Sequence, residues 1–535
     1  MRKILIISVL LLMLTACQNA EKVQNSAISG ENAENAESGN FSQTLTYGAS
    51  SRITRINPLL DEHGEVNILL FNGLTAHGKN SEIVPSLAKT WEHDPETNTY
   101  TFSLEENVQW HDGEPFTAED VKFTIEAIKD PKNQSENAPN FEEVEEIIVE
   151  APHTVTFRLT APNAAFLDYM TISILPKHAL QNENLEFSEF FTQNPIGTGP
   201  YKLTAWAEGQ YITLEKNETY FKDPPKIQTI HIKFLEDDSS RFLQLQSGEI
   251  DLAQLTPRDA QALEAAQEKE GENIQNFTIY HMKTADYRGI MFNFSHPYWQ
   301  KNRDLIPAIN YALDREKMVE IILQGRGEPA YGPLQRNIYN NSQIQQYSYD
   351  LTRSKFLLEK AGCQKMEDNF YYRNGEKLSF TINVPAGDQV RLNLAQAAAQ
   401  NLKEAGVDVK VEIPAAIDWK TQMSYLIGWG SPYDADDHTY KVFGTGMAAN
   451  YSGYSNPLVD KALRDARSTE NPEIRREAYG EFQEALAADP PFAFLCYVDA
   501  DYAAVSGLKG ISTDTVLEHH GVGIFWNVTE WTLER

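Results

Sequence analysis

LIGWGSPYDADDHTYKVF, residues 426–443, begins as an apolar segment and continues as a segment rich in aromatic and acidic side chains. Gly430, Ser431 and Pro432 favour a turn, so the apolar residues before them are expected to form a buried strand that ends there. A loop that leaves a strand end and carries aromatic rings and carboxylates is a usual place for a small ligand. The alternative is that the acids begin a solvated helix and the aromatic rings pack inside a domain.

Outside this stretch, apolar residues recur with the spacing of strands and of helices in turn, which predicts α/β lobes built on mixed sheets. The predicted strands are residues 227–234, 288–294, 378–384 and 409–413, and the predicted helices are residues 239–247, 304–323, 351–361 and 390–405. Nearer the N-terminus, the pattern predicts a hairpin of residues 100–104 and 108–110. Thr117, with Asp120 three residues later, is typical of a helix start.

The N-terminus has the pattern of a secretory signal. Two basic residues precede the apolar run 4–14, which is too short for a permanent membrane-spanning helix. Small residues lead to Cys17 with the spacing of a bacterial lipobox, so residues 1–16 are predicted to be a signal peptide and Cys17 to be lipidated. An ordinary cleavage site beside an incidental cysteine is the alternative. Residues 17–41 are poor in large apolar residues and are predicted to form a disordered tether.

Length and charge restrict the class of protein. The 535 residues suffice for roughly two or three domains with substantial cores. The 76 acidic residues outnumber 46 Lys and Arg, giving a formal net charge of −30. Nucleic acid and anionic membrane surfaces are therefore disfavoured as partners, because their phosphates require basic patches.

The sequence does not favour an enzyme. It contains no GxSxG, HExxH, P-loop or dinucleotide-binding motif. A hydrolase that uses Asp434, Asp436 or Asp437 would lack a nucleophile with a matching base. Cys363 and Cys496 form no CxxC pair, so they are expected to be buried free thiols, although an exported protein also permits a bridge between them.

Four segments in a fixed order form a specific set of motifs. They are residues 83–124 (IVPSLAKTWEHDPETNTYTFSLEENVQWHDGEPFTAEDVKFT), 195–203 (PIGTGPYKL) with 214–221 (LEKNETYF), 245–252 (LQSGEIDL) and 305–322 (LIPAINYALDREKMVEII). Together they resemble family 5 of the bacterial extracellular solute-binding proteins, which serve peptide and nickel importers. The resemblance covers nearly the whole mature chain.

The resemblance implies a two-lobed periplasmic-binding-protein-like fold of class II, in its large form, with mixed sheets joined by a hinge. Lobe I would comprise residues 42–279, with an extra subdomain at about 80–180, and lobe II would comprise residues 280–498. Residues 499–535 would return to lobe I. The resemblance also implies a monomer that works outside the cytoplasm with the permease and ATPase subunits of an ABC importer, anchored by its lipid.

The implied topology brings residues 61–65, the loop after Trp429 and residues 517–526 to one cleft. His63, His519 and His520 lie beside glycines in two of these stretches, and the apolar residues after Gly521 are predicted to form a strand. Imidazole is a common ligand of nickel, copper and zinc, and glycine permits close approach of a bound complex. These three histidines are therefore candidate metal ligands. The alternative is that they are solvated loop histidines.

The loop that contains Trp429 adds Trp429, Tyr433 and Asp434 as candidate ligand-binding residues. The resemblance implies that Phe141 occupies an aromatic position of the ligand pocket. Oligopeptide-binding members have an aspartate after the tryptophan where Pro432 stands here. WGSPYD is similar instead to the WGxPYD of nickel-type members.

One feature of some nickel-type members is missing from this sequence. The arginine with which some nickel-type members grip a metallophore carboxylate has no counterpart in residues 167–178, so Arg288 or Arg391 would have to replace it. The leading hypothesis is a binding protein for a nickel or other divalent-metal chelate, with no prosthetic group. A di- or oligopeptide-binding protein is the alternative, and an adhesin or sensor of the same fold is another.

Overall fold

The computed structural model describes residues 44–60, 64–185, 188–270 and 277–534. The predicted signal peptide, Cys17 and His63 lie outside these residues. Residues 41–535 form one unit, and its buried apolar residues form two separate hydrophobic cores. The first core takes residues from 45–282 and from 500–533, and the second takes residues from 287–497. These two sets of residues are the first core and the second core.

The first core is built on a seven-stranded sheet, called sheet A. Its strands lie in the order Phe277–Met282, Ala500–Val505, Leu252–Leu255, Thr44–Ala49, Thr229–Phe234, Tyr211–Lys216 and Tyr201–Ala207. The three central strands, 252–255, 44–49 and 229–234, are parallel, and the outer pairings are antiparallel. Sheet A is therefore mixed, as the alternating pattern predicts.

A four-stranded antiparallel sheet, called sheet C, adds to the first core. Its strands lie in the order Ala88–Asp94, Thr99–Leu104, Thr154–Leu159 and Val144–Ala151. The helix Ala118–Lys129 packs on it and begins with the predicted capping box between Thr117 and Asp120.

The second core surrounds a six-stranded mixed sheet, called sheet B. Its strands lie in the order Gly327–Pro329, Phe492–Val498, Tyr287–Phe292, Ser424–Ile427, Ser379–Asn383 and Asp408–Glu412. The strand Ser424–Ile427 is the one that the apolar entry to the WGSPYD loop predicts, and three of its four residues are buried.

The helices cover both cores. They are Asn67–Leu70, Ala118–Lys129, Phe166–Tyr169, Lys177–Leu180, Phe190–Gln193, Asp238–Ser247, Pro257–Glu270, Pro297–Asn302, Ile306–Tyr311, Arg315–Ile322, Leu351–Lys360, Gln389–Ala405, Asp437–Phe443, Pro457–Arg467 and Pro472–Ala488. The shorter pairings are Gln364–Lys365 with Tyr371–Arg373 and Glu376–Lys377, Thr75–His77 with Ile83–Pro85, and Leu508–Lys509 with Thr532–Leu533. Among the described residues, no helix is both long and apolar enough to cross a membrane.

Three details of the sequence prediction are wrong. The predicted helix 304–323 is divided, because Asp314 accepts a hydrogen bond from the backbone of Lys317 and starts a new helix. Residues 108–110 do not pair with 100–104, since that strand already has a partner on each side. The apolar residues expected to form a strand after Gly521 form the 3₁₀ helix Ile524–Glu530 instead.

Cys363 and Cys496 are free and buried, as the sequence predicts. Burial raises the pKa of the Cys496 thiol to about 12. It also raises the pKa of the Cys363 thiol.

Gly428 gives a test of how sheet B is packed. A Cβ atom at Gly428 would lie 1.6 Å from the carbonyl oxygen of Tyr287 on the neighbouring strand. Gly428→Ala is therefore expected to lower the free energy of unfolding by about 1–3 kcal/mol, the usual cost of overpacking. Chemical denaturation measures this change.

Gly480 provides the matched control, because it lies inside the helix Pro472–Ala488 and its nearest neighbour to an added Cβ is 3.8 Å away. Gly480→Ala is expected to stabilise the protein by about 0.5–1 kcal/mol. Equal effects of the two substitutions would contradict the packing described for Gly428.

Candidate functional site

The candidate site lies where the chain passes from sheet A to sheet B. Thr284, in the connecting segment, forms a parallel bridge with Leu517. The backbone N–H of Ala285 donates to the carbonyl of Leu517 at 2.9 Å, and the N–H of Leu517 donates to the carbonyl of Lys283 at 2.8 Å. Because residues 519 and 520 follow at once, this bridge fixes two histidines beside the start of a sheet B strand.

Asp286, His519 and His520 converge on one point. One ligand atom from each residue can be chosen so that all three atoms lie within 4.8 Å of one another. The Nδ1 atom of His519 lies 2.9 Å from a carboxylate oxygen of Asp286, and the backbone N–H of His520 donates to the other oxygen at 3.0 Å. A carboxylate and two imidazoles in this arrangement form a donor set for a divalent transition metal.

Two buried arginines adjoin this cluster. Arg288 donates to Asp286 at 2.5 Å, and its Nη2 atom lies 3.2 Å from Nδ1 of His520. The Nη2 atom of Arg391 lies 3.4 Å and 3.5 Å from the Nε2 atoms of His519 and His520. A neutral imidazole has one nitrogen that can accept a hydrogen bond, so His520 satisfies only one of the two guanidinium groups that face it.

The guanidinium groups are not fully paired. The Nε atoms of Arg288 and Arg391 have no hydrogen-bond partner within the described part of the chain, although Nε of Arg391 lies 3.4 Å from a carboxylate oxygen of Asp388. Burial, and then the charge of Arg288, lowers the pKa of Arg391 to about 10. Donors of this kind are ready for an anionic ligand group.

Desolvation, and then the neighbouring His519, Arg288 and Arg391, lower the pKa of the His520 imidazole, which favours its neutral form. His520 keeps an exposed face and lines a cavity. A neutral imidazole is the form that binds a metal ion.

The cavity beside His520 has a volume of about 650 Å³ and is also lined by Asp286 and Arg288. It lies at the carboxyl ends of the three parallel strands of sheet A, a usual ligand position in α/β proteins. A second cavity of about 540 Å³ lies between parts of both cores. Gly64 and Val522 line both cavities, so the segments that contain them separate the two spaces.

Phe141 and Tyr433 line the second cavity. The ring of Tyr433 stacks on His77 with the ring centroids 3.4 Å apart, and its hydroxyl donates to Glu518 at 2.6 Å. Five acidic residues line the same space: Asp168, Asp223, Asp437, Glu518 and Glu530.

Trp429 and Asp434 are placed differently from these residues. Trp429 is 9% exposed, packs against Tyr451 and Phe492 in the second core, and lines neither cavity. Asp434 forms a two-point ion pair with Arg475, at 2.5 Å and 2.7 Å. Trp429 is therefore held by aromatic packing and Asp434 by an ion pair, and neither side chain lines one of the two cavities.

Asp286 is the site residue that the sequence analysis missed. A signal was present, because Asp286 and Arg288 flank Tyr287 at the start of a strand whose remaining residues are apolar. Two charges at alternate positions of such a strand lie on one face of the sheet and indicate a buried ion pair.

A second group of contacts joins the two cores away from the histidines. Arg467, on the second core, pairs with the buried Asp436 at 2.5 Å and with Glu142 at 3.2 Å. The hydroxyl of Tyr169, from the first core, donates to Asp436. Tyr440 donates to Glu142 at 2.6 Å. Side chains of the two cores therefore contact each other directly around Asp436 and Glu142.

Comparison with known proteins gives a consistent result. The family model described as bacterial extracellular solute-binding proteins, family 5 Middle, matches residues 82–452. Protein XP55 of Streptomyces lividans is 32% identical, over 88% of this chain and 86% of that protein.

Among solved structures, NikZ from Campylobacter jejuni in complex with Ni(L-His) is 38% identical with a TM-score of 0.85, over 92% of this chain and 99% of NikZ. The oligopeptide-binding protein AppA from Bacillus subtilis, in complex with a nonapeptide, is 26% identical with a TM-score of 0.81, over the same shares of the two chains. The two cores therefore correspond to a two-lobed periplasmic-binding-protein fold.

Arg467 gives a test of its buried ion pair with Asp436, which lies on the second core where Tyr169 and Glu142 of the first core adjoin it. Arg467→Met would leave Asp436, which is 0% exposed, as a buried charge without its cation. The free energy of unfolding is expected to fall by about 3–5 kcal/mol, as when one partner of a buried pair is removed. Urea denaturation measures this loss.

Arg464→Met is the control, since Arg464 is exposed on the same helix, Pro457–Arg467. Its expected effect is within about 0.5 kcal/mol of zero. Equal midpoints for the two variants would show that the Arg467 contacts do not stabilise the folded protein.

Proposed function

This chain belongs to family 5 of the bacterial extracellular solute-binding proteins, and we propose that its ligand is a nickel or other divalent-metal chelate. Members of this family are solute-binding proteins that work with ABC permease and ATPase partners, and they are not enzymes. The observation that supports the proposal is the convergence of Asp286, His519 and His520 on one point.

The charges around this point favour a chelate over a bare metal ion. Arg288 and Arg391 add two positive charges, which Asp286 and Asp388 only balance. A bare divalent cation would bring two further positive charges next to buried guanidinium groups. A chelator with a carboxylate brings compensating charge and offers acceptors to both arginines.

The relatives are compatible with this choice and also define its alternative. NikZ was solved with Ni(L-His), whereas AppA was solved with a nonapeptide. The aspartate typical of peptide-binding members is replaced here by Pro432. The second cavity, lined by Phe141 and Tyr433, has room for a short peptide, which is the second candidate.

The chelate would be enclosed by closure of two lobes. Residues 42–279 and 499–535 are taken as one lobe and residues 280–498 as the other, with the crossings between them as the hinge. Ligand contacts with both lobes would favour the closed state over the open one. His63, one residue before Gly64 at both cavities, is the proposed third imidazole.

Binding of nickel tests the ligand class. Calorimetry with Ni²⁺ and free L-histidine is expected to show tight binding, and Ni²⁺ alone weak binding. The double variant His519→Ala, His520→Ala should lose about 100-fold or more in affinity, because even indirect supports of metal ligands contribute about 10–100-fold. Arg391→Gln should weaken binding of the nickel–histidine complex, whereas binding of Ni²⁺ alone should be equal or stronger, because one repelling positive charge is removed.

His178→Ala is the control for loss of an imidazole, because His178 pairs with Asp112 and lines neither cavity. Its affinity should equal that of the unaltered protein. Undiminished binding by the double histidine variant, or binding of peptides with no response to nickel, would favour the peptide alternative.

The chain is also proposed to be a lipoprotein attached to the membrane through Cys17. Cys17→Ala should release the protein from the membrane fraction, because the remaining chain would carry no acyl groups. Fractionation of cells at high salt measures the distribution. A variant that stays in the membrane fraction would contradict the lipid anchor.

A further inference from the structure

The two histidines of the site are neighbours in sequence, yet their rings meet. The ring centroids of His519 and His520 lie 4.0 Å apart. In an extended chain, successive side chains point in opposite directions and could not approach one metal ion. The backbone therefore has to turn sharply between them.

The turn is made in the left-handed region. His520 has φ +60° and ψ +11°, and Gly521 follows with φ +77°. The backbone of a residue other than glycine is strained in this region, and such strain persists only where surrounding contacts hold the residue in place. His520 is thus a strained residue inside the proposed ligand site.

Three hydrogen bonds hold the turn. The N–H of His520 donates to Asp286 at 3.0 Å, and the side-chain amide of Gln254 donates to the carbonyl of His520 at 3.2 Å. The hydroxyl of Tyr502 donates to the carbonyl of Gly521 at 2.9 Å. Both peptide carbonyls of the turn are therefore fixed by side chains of sheet A.

Sheet A presents these two side chains together. Gln254 and Tyr502 are direct register partners on neighbouring antiparallel strands, so they lie on one face of the sheet. Tyr502 is fully buried, and its hydroxyl also lies 3.3 Å from Glu65, which accepts from Tyr47 at 2.8 Å. Tyr502 thereby connects Gly521 to the segment that follows His63.

We propose that Gln254 and Tyr502 are positioning residues, which hold the strained turn so that both imidazoles face Asp286. Neither side chain would contact the metal. Without them the turn can relax toward an unstrained backbone, and the His520 ring would leave the point of convergence. This inference rests on the proposed function for its consequence in binding, but the ring positions can be tested separately.

The test uses the double variant Gln254→Met, Tyr502→Phe and each single variant. These changes keep side-chain size nearly constant and remove the amide and hydroxyl groups that donate to the turn. NMR signals of the imidazole groups in the metal-free protein report the ring environments. The signals of His519 and His520 are expected to shift, and affinity for Ni²⁺ with L-histidine is expected to fall about tenfold or more, as for other supports of metal ligands.

Gln267→Met and Tyr280→Phe are the controls. Gln267 also donates to a backbone carbonyl, that of Phe277 at 2.9 Å. Tyr280 is the register partner of Tyr502 on the neighbouring strand that does not contain Gln254. The controls should change neither the imidazole signals of residues 519 and 520 nor the affinity.

The outcomes separate the two ideas. Unchanged imidazole signals in the double variant would overturn the positioning role, and so would shifted signals with undiminished nickel–histidine binding. Shifted signals in a protein whose unaltered form binds no nickel complex would support positioning and contradict the proposed function. If the double variant does not fold, the single variants are judged by the same two measurements.

Discussion

Two short segments, 283–286 and 498–499, lead the described chain from one core to the other, and the candidate site depends on how they are joined. The N–H of Val498 donates to the carbonyl of Asp286, and the hydroxyl of Thr284 donates to the carbonyl of Val498. The first of these segments also bridges to Leu517. The two chain crossings and the candidate site are thus held by the same few hydrogen bonds.

Much of the fold could be predicted because burial leaves a periodic pattern. The strands 229–234, 379–383 and 408–412 and the helix 389–405 lie within two residues of their predicted positions. Periodicity does not identify partners, however. The sequence predicts that the strand Thr99–Leu104 pairs with the residues just after it, but its neighbours are Ala88–Asp94 and Thr154–Leu159, the second of which follows some fifty residues later.

The site was predictable only in part, for a related reason. The two adjacent histidines could be selected because glycine beside imidazole is a local signal. No local signal of this kind selects Asp286, Gln254 and Tyr502. They approach the histidines only because strands that are distant in sequence pair in a particular register. Trp429 looked like a cleft residue because its surroundings are rich in turn residues, but its ring packs inside the second core.

The buried cysteines have a consequence for how the chain reaches its folded state. Cys496 lies inside the second core, and burial keeps its thiol protonated, as it does for Cys363. Oxidants react with thiolates, so neither group is reactive once the chain has folded. Each core is stabilised by apolar packing and ion pairs without a covalent cross-link between these cysteines. Folding of the described residues therefore needs no disulfide between Cys363 and Cys496, and reducing surroundings remove no cross-link between these two residues.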